Sequence, residues 1–159
     1  MDSSTRRRER WRWVIAGLAI AGATAVMWSD ASVEIWQDLV ALALTFNREA
    51  TATIMGARQW GDADLHVALW GSCTLVVLWA CRTRRQVLVA IVALLIWSGF
   101  TELAQPWVTQ IRTRQVVDFA GNVLGVSLGA LAFALVHWLR GVRQRRMLRK
   151  PAHPGARTG

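Results

Sequence analysis

The sequence predicts an all-α integral membrane protein: a four-helix bundle with both termini in the cytoplasm and an amphipathic helix in the first outer loop. Three observations support this fold class: long apolar runs, basic residues grouped at the ends of those runs, and a length of 159 residues, which suits one domain. A helix that crosses a bilayer needs about 20 apolar residues and tolerates about 17 to 25. The runs that meet or nearly meet this requirement are Trp13–Ser29, Leu65–Cys81, Gln86–Gln105 and Val116–Leu139.

Basic residues in the loops predict the orientation of the bundle. Fifteen of them precede the first run, separate the second from the third, or follow the fourth, and four lie in the two other loops. Because cytoplasmic loops carry the excess of arginine and lysine, we expect both termini on the cytoplasmic side of the cell's inner membrane. The chain then divides into a basic N-terminus (1–12), a transmembrane domain (13–139) and a basic, partly disordered tail (140–159) whose first half extends the fourth helix.

The first apolar run also has features of a secretory signal. It follows the basic stretch STRRRERWR and contains a small-residue triplet at Ala23–Ala25, the type of sequence that signal peptidases cleave. The apolar run continues through Trp28 beyond that triplet, and this continuation favours a first span that is retained.

The long first outer loop, Asp30–Gly61, contains a helical pattern. Glu34, Asp38, Ala41 and Thr45 recur at intervals of four, three and four residues, while apolar side chains cover much of the remaining surface. Such a helix lies at a membrane interface or folds back over the bundle. An ordinary surface helix fits the pattern equally well.

Polar residues are concentrated where the third run ends and the fourth begins. Pro106 lacks an N–H and disfavours helix for its predecessor, so we expect the third span to end there. On either side of it lie two carboxylates, two amides and two arginines: Glu102, Gln105, Arg112, Arg114, Asp118 and Asn122. Asp62 and His66 occupy one face at the start of the second span, near the same outer surface. Since ionisable groups within a membrane need partners or water, we expect these residues to share one polar pocket.

A stripe of small residues predicts which face of the fourth span is buried. Gly121, Gly125 and Gly129 recur every four residues next to Asn122, and such small-residue repeats let a second helix approach closely. The polar side chains should therefore face the interior of the bundle.

The order Asp62-x-x-x-His66, Glu102-x-x-Gln105, Arg112, Asp118-x-x-x-Asn122-x-x-Gly125-x-x-x-Gly129 resembles the VanZ-like family of small membrane proteins, named for a teicoplanin-resistance accessory protein. The resemblance covers roughly Asp62 to Gly129. It implies a four-helix bundle that acts at the extracytoplasmic face, in cell-envelope, surface-glycan or glycopeptide-resistance chemistry. This chain departs from the family where Ala63 replaces a common lysine, Val67 a common aromatic residue and Trp70 a common tyrosine.

Several functions fit the pocket. A phosphate- or sugar-bearing amphiphile, such as a polyprenyl-phosphate carrier, a cell-wall precursor or a lipoglycopeptide, would present its phosphate to Arg112 and Arg114. Alternatively, the charged residues form a structural clasp that ties the third span to the fourth. A membrane-embedded hydrolase or transferase with His66 as general base and Asp62 to orient it is a less favoured alternative, and transport is the least favoured.

Other classes of site are not indicated. One histidine among carboxylates does not specify a metal, so we expect no metal ion, no cofactor and no assigned catalytic residue. Cys73 and Cys81 are separated by about 12 Å along one helix, too far for a disulfide. Basic residues at the ends of apolar runs do not form a surface that follows nucleic acid phosphates. Membrane lipids are the expected partners, and the sequence leaves the oligomeric state open.

Overall fold

The structure, a computed structural model, describes residues 3–43, 63–109 and 116–148, and these residues are all-helical. The all-α prediction is confirmed for this part of the chain. The five helices are α1 (Ser3–Met27), α2 (Ala31–Ala43), α3 (Ala63–Ala80), α4 (Arg84–Val108) and α5 (Val116–Leu148).

Three helices, α3, α4 and α5, are long and apolar enough to cross a membrane. Helix α1 meets that criterion only when it is taken together with α2, and the two are bent by 93° relative to each other. The basic residues of the N-terminus occupy the first turns of α1, so its apolar part is short. The described residues therefore contain three candidate spans, or four if the bent pair forms one, and they indicate a membrane protein.

Helix α4 begins at a capping box. The Thr83 hydroxyl oxygen accepts a hydrogen bond from the Gln86 backbone N–H at 3.2 Å, and Gln86 Oε1 accepts one from the Thr83 N–H at 3.2 Å. These bonds satisfy amides that a helix start leaves without partners. The cap fixes a short turn, residues 81–83, between α3 and α4.

The prediction that the third span ends before Pro106 is wrong, since α4 continues to Val108. Proline fixes φ near the helical value and removes only one backbone donor. The amide and the hydroxyl of Thr109 each donate to the Gln105 carbonyl at 2.9 Å. These two bonds hold the turn that follows the proline. Helix α5 likewise extends past the apolar run into the basic tail, as the sequence predicts.

The closest helix pair is α3 with α5, which run parallel. A Cβ added at Gly125 would lie 2.7 Å from the Val67 carbonyl oxygen, and one added at Gly129 would lie 2.6 Å from the Gly71 carbonyl oxygen. Any side chain there would collide with backbone, which cannot rotate out of the way. The small-residue stripe of α5 is thus the surface on which the backbone of α3 rests.

Ion pairing joins α1 to the turn between α3 and α4. Glu9 Oε1 accepts from Arg82 Nη1 at 2.8 Å, and the Arg12 guanidinium lies over the Trp79 ring, 4.5 Å from its centroid. We call this part of the bundle the basic end. Helices α1 and α4 start there, whereas α3 and α5 run toward it.

Alanine substitution should affect the stability of the protein differently at different glycines of α5. Gly125→Ala should lower the free energy of unfolding by about 1–3 kcal/mol, because the methyl group overpacks a backbone contact. Thermal unfolding of the purified protein in detergent measures the effect.

Gly141→Ala is the matched control, because a Cβ at this position of α5 meets nothing within 4 Å. Alanine forms helix better than glycine, so this change should leave the unfolding midpoint unchanged or raise it. Equal destabilisation by both substitutions would contradict the proposed packing.

Candidate functional site

His66 is held by two helices other than its own. Its Nδ1 lies 2.7 Å from Asn122 Oδ1, and Asn122 Nδ2 donates to the Ser98 backbone carbonyl at 3.1 Å. His66, Asn122 and Ser98 are at most 1% exposed. One asparagine side chain therefore connects α3, α4 and α5 inside the bundle.

This network fixes the proton position on the neutral His66 ring. A backbone carbonyl only accepts hydrogen bonds, so the NH₂ group of Asn122 must face Ser98. The amide oxygen then faces His66, and the short contact requires Nδ1–H as the donor. In the neutral ring Nε2 carries the lone pair.

Glu102 lies beside the same ring. Its Oε2 is 3.7 Å from His66 Nδ1, and the residue is 4% exposed. The two groups form an ion pair only when the imidazole is protonated. We call His66, Ser98, Glu102 and Asn122 the polar cluster.

Two further predicted residues are buried nearby, with different roles. Asp118 is 3% exposed and lies in the first turn of α5, where the helix dipole favours an anion. It is one turn before Asn122 on the same face. Gln105 is 1% exposed, and its Nε2 donates to the Met27 carbonyl of α1 at 3.2 Å. Gln105 therefore ties α4 to α1, while Glu102 on the preceding turn faces His66.

The remaining predicted residues, Asp62, Arg112 and Arg114, lie outside the described residues. The pairs that the sequence predicts between these arginines and the carboxylates stay predictions. Within the described ranges, no group of three or more His, Cys, Asp or Glu residues could hold a metal ion.

Helix α1 contributes contacts that sequence reasoning missed. Trp28 Nε1 donates to the Thr101 carbonyl at 3.3 Å, and Trp97 Nε1 donates to Thr24 Oγ1 at 2.9 Å. A partial signal existed in α4, because Ser98, Thr101 and Gln105 lie at positions i, i+3 and i+7 of one face. Thr24 had no such signal, as it is a single hydroxyl in an apolar run.

The hydroxyl groups next to the cluster are engaged within their own helix. Ser98 Oγ donates to the Leu95 carbonyl at 3.1 Å, and Thr101 Oγ1 donates to the Ser98 carbonyl at 2.8 Å. A serine or threonine nucleophile requires a hydrogen bond from its hydroxyl to the base. The Ser98 and Thr101 hydroxyls therefore donate within α4 and not to His66.

Trp70 adds a buried donor one turn beyond His66 on α3. Its side chain is fully buried, and Nε1 has no hydrogen-bond partner among the atoms that the structure describes. A buried indole N–H usually finds an acceptor. Trp70 is thus a candidate donor to a bound group.

An apolar crevice between α4 and α5 reaches the cluster. Its volume is about 590 Å³, and hydrophobic side chains including Ile96, Phe100 and Phe119 line it together with Glu102. The volume lies within the roughly 300–1,000 Å³ of ligand pockets. The crevice therefore lies beside Glu102, whose two carboxylate oxygens are themselves buried.

No family model, curated protein or solved structure matches the chain. The resemblance to the VanZ-like family is therefore based on the residue pattern between Asp62 and Gly129 alone.

Substitution of Asn122, which links His66 to the Ser98 carbonyl, should change the ¹⁵N spectrum of the His66 ring. In the wild-type protein, ¹⁵N spectra of the neutral His66 ring should show protonation at Nδ1. Asn122→Leu should remove this preference and lower the free energy of unfolding by about 1–3 kcal/mol, since it leaves buried polar groups without partners.

Ser127→Ala is the control for that experiment. The Ser127 hydroxyl is exposed and donates only to the Val123 carbonyl of its own helix, so its loss should change stability by less than about 0.5 kcal/mol. A His66 spectrum that is identical in the wild type and Asn122→Leu would contradict the bridge.

Proposed function

We propose that the chain is a multi-pass protein of the VanZ-like type that binds a phosphate- or sugar-bearing amphiphile at its polar cluster. The observation that carries the proposal is the burial at one level of His66, Glu102 and Asn122, from three helices, beside an apolar crevice that contains Glu102. The head group would occupy the cluster while the hydrocarbon chain lies in the crevice.

The energetic cost of the cluster supports a function. An ionisable side chain at the centre of a membrane helix costs about 2.5–3.5 kcal/mol on insertion scales. Intramembrane ionisable residues are rare, and they commonly mark functional sites. Here a carboxylate and an imidazole from different helices are buried together. The three helices are already linked by Asn122 without Glu102.

Each group has a role in this proposal. Glu102 accepts hydrogen bonds from sugar hydroxyls, and Trp70 Nε1 donates to a phosphate or hydroxyl oxygen. Arg112 and Arg114 neutralise a phosphate, for which a planar guanidinium is well suited. Asn122 holds the His66 ring in one tautomer and keeps its orientation fixed.

The structural clasp remains the second candidate, and the two amides favour it. Asn122 donates to the Ser98 carbonyl and Gln105 to the Met27 carbonyl, so both tie helices together. Interhelical hydrogen bonds of this kind contribute about 0.6 kcal/mol on average. A clasp explains the amides and, through the predicted pairing with Arg112 and Arg114, the carboxylates; the binding proposal adds an explanation for His66 and the crevice.

We also propose the membrane arrangement: a four-helix bundle in the cell's inner membrane, with the basic end cytoplasmic and the polar cluster toward the extracytoplasmic face. The basic residues of α1 and of the turn after α3 meet at one end, and such residues favour the cytoplasmic side. Helix α2 turns 93° from α1 and exposes Ile35, Leu39 and Leu42. This geometry suits a helix in the outer membrane interface.

Binding can be measured with the full-length protein in nanodiscs, titrated with a polyprenyl phosphate and with a glycosylated polyprenyl lipid. Glu102→Gln should weaken binding of the glycosylated lipid by about tenfold, because a hydrogen bond to a charged acceptor contributes about 1.5–3 kcal/mol. Arg112→Ala should weaken binding of both lipids.

Glu9→Gln provides the control, since Glu9 is a carboxylate at the opposite, basic end. Unchanged affinity in Glu9→Gln and reduced affinity in Glu102→Gln support the proposal. Equal binding by folded Glu102→Gln, Arg112→Ala and the wild type would leave the clasp as the function.

Orientation can be tested with the native thiol at the basic end. Cys81 is half-buried, and burial raises the pKa of its thiol above the usual value. Because the thiolate is the reactive form, a membrane-impermeant maleimide should label Cys81 slowly at neutral pH and faster at alkaline pH. Labelling should occur in inverted vesicles and not in intact cells.

Cys81→Ser should abolish this labelling, because the other thiol, Cys73, is 4% exposed within α3. Labelling of the wild type from the outer side alone would place the basic end outside and reverse the proposed orientation.

A further inference from the structure

A second crevice lies at the basic end, between α1, α3 and α4. It has a volume of about 770 Å³ and is lined mainly by apolar side chains of the three helices. Trp13 and Trp97 contribute aromatic walls, and Arg85 lies at the rim with Thr83 and Gln86. None of its lining residues belongs to the polar cluster.

The hydrogen bonds that the structure shows between α1, with the residue after it, and α4 lie at the end away from Arg85. The hydrogen bonds from Trp97 to Thr24, from Trp28 to Thr101 and from Gln105 to Met27 all lie near the C-terminus of α1. Toward the basic end, the crevice lies between side chains of the two helices, including Trp13 of α1 and Val89 of α4. The bond between Trp97 and Thr24 closes the deep end of the crevice, and the rim stays open.

The dimensions of the crevice match one leaflet of a bilayer. Along α4, the distance from Arg85 to Trp97 is about 18 Å at 1.5 Å per residue. Half of the hydrocarbon core is about 15 Å. A chain that enters from the rim would therefore reach the deep end near the bilayer midplane.

Arg85 supplies the charge at the rim. Thr83 and Gln86 accept hydrogen bonds through their side-chain oxygens in the capping box, and their hydroxyl and amide N–H groups remain as neutral donors beside Arg85. Arg82 pairs with Glu9, whereas no carboxylate within residues 3–43, 63–109 and 116–148 lies within ion-pair distance of Arg85. A guanidinium above an apolar slot is complementary to a phosphate that carries a hydrocarbon chain.

We propose that this crevice binds an anionic phospholipid of the leaflet at the basic end, with one acyl chain between α1 and α4 and the phosphate at Arg85. The site is separate from the polar cluster and does not depend on the function proposed for it. The bound lipid fills the crevice between the two helices, and because it binds the folded protein it also stabilises the bundle.

The test uses delipidated full-length protein in detergent, titrated with phosphatidylglycerol or phosphatidylcholine of identical acyl chains, with bound lipid counted by native mass spectrometry. The wild type should bind phosphatidylglycerol about tenfold more tightly. Arg85→Gln should abolish this preference. Ala93→Phe, which places a ring in the crevice, should weaken binding of both lipids.

Arg84→Gln is the matched control. Arg84 is the preceding residue but lines a different crevice, between α4 and α5, so the preference for phosphatidylglycerol should remain. Circular dichroism verifies that each variant is helical. Equal affinity of the wild type for the two lipids, or the same loss in Arg84→Gln as in Arg85→Gln, would overturn the proposal. So would a protein dimer that Ala93→Phe abolishes, because a second copy would then occupy the crevice.

Discussion

The contact between the backbones of α3 and α5 determines the position of the other described groups. A Cβ at Gly121 would lie 2.8 Å from the Ala63 carbonyl oxygen and 3.1 Å from the Cβ of His66. Only glycine allows the two helices this close, and at this distance Asn122, the next residue, reaches the His66 ring. If α3 moved outward by the width of a side chain, the 2.7 Å contact between His66 and Asn122 would be lost. Glu102 would then be buried in the membrane beside a gap. The close packing of α3 on the glycines of α5 is therefore required for the polar cluster to form.

The parts of this arrangement that follow helical periodicity could be predicted from the sequence. The spacing of Asp118, Asn122 and the glycines identifies one face of α5, and the structure buries that face. The contacts between the end of α1 and α4 could not be predicted, because two of the acceptor atoms are backbone carbonyls, at Met27 of α1 and Thr101 of α4. Every residue has such an acceptor, so nothing in the sequence marks these two. The error at Pro106 has a similar origin: a proline rule describes the local backbone, and Thr109 closes the end of α4 by hydrogen bonds to the Gln105 carbonyl.

The amides and the ionisable groups differ in what they require from the fold. Asn122 and Gln105 each donate to a backbone carbonyl of another helix, so they satisfy buried acceptors and stabilise the bundle without any ligand. Glu102 and His66 bring charge or potential charge into an apolar interior, so they require polar partners there. The fold places such a carboxylate and such an imidazole, from two different helices, 3.7 Å apart.

The two ends of the bundle differ in how α1 and α4 meet. Near the polar cluster, indole and amide hydrogen bonds join them, and the same indoles fill the space between the helices. Near the basic end, both helices carry arginines at their starts, and repulsion between like charges opposes a close approach there. Glu9 neutralises Arg82, and Arg12 lies on the Trp79 ring, and these contacts fasten α1 to α3 and to the turn after it. Helix α4 is thus fixed at the end that holds Glu102 and has an apolar gap beside it at the other end.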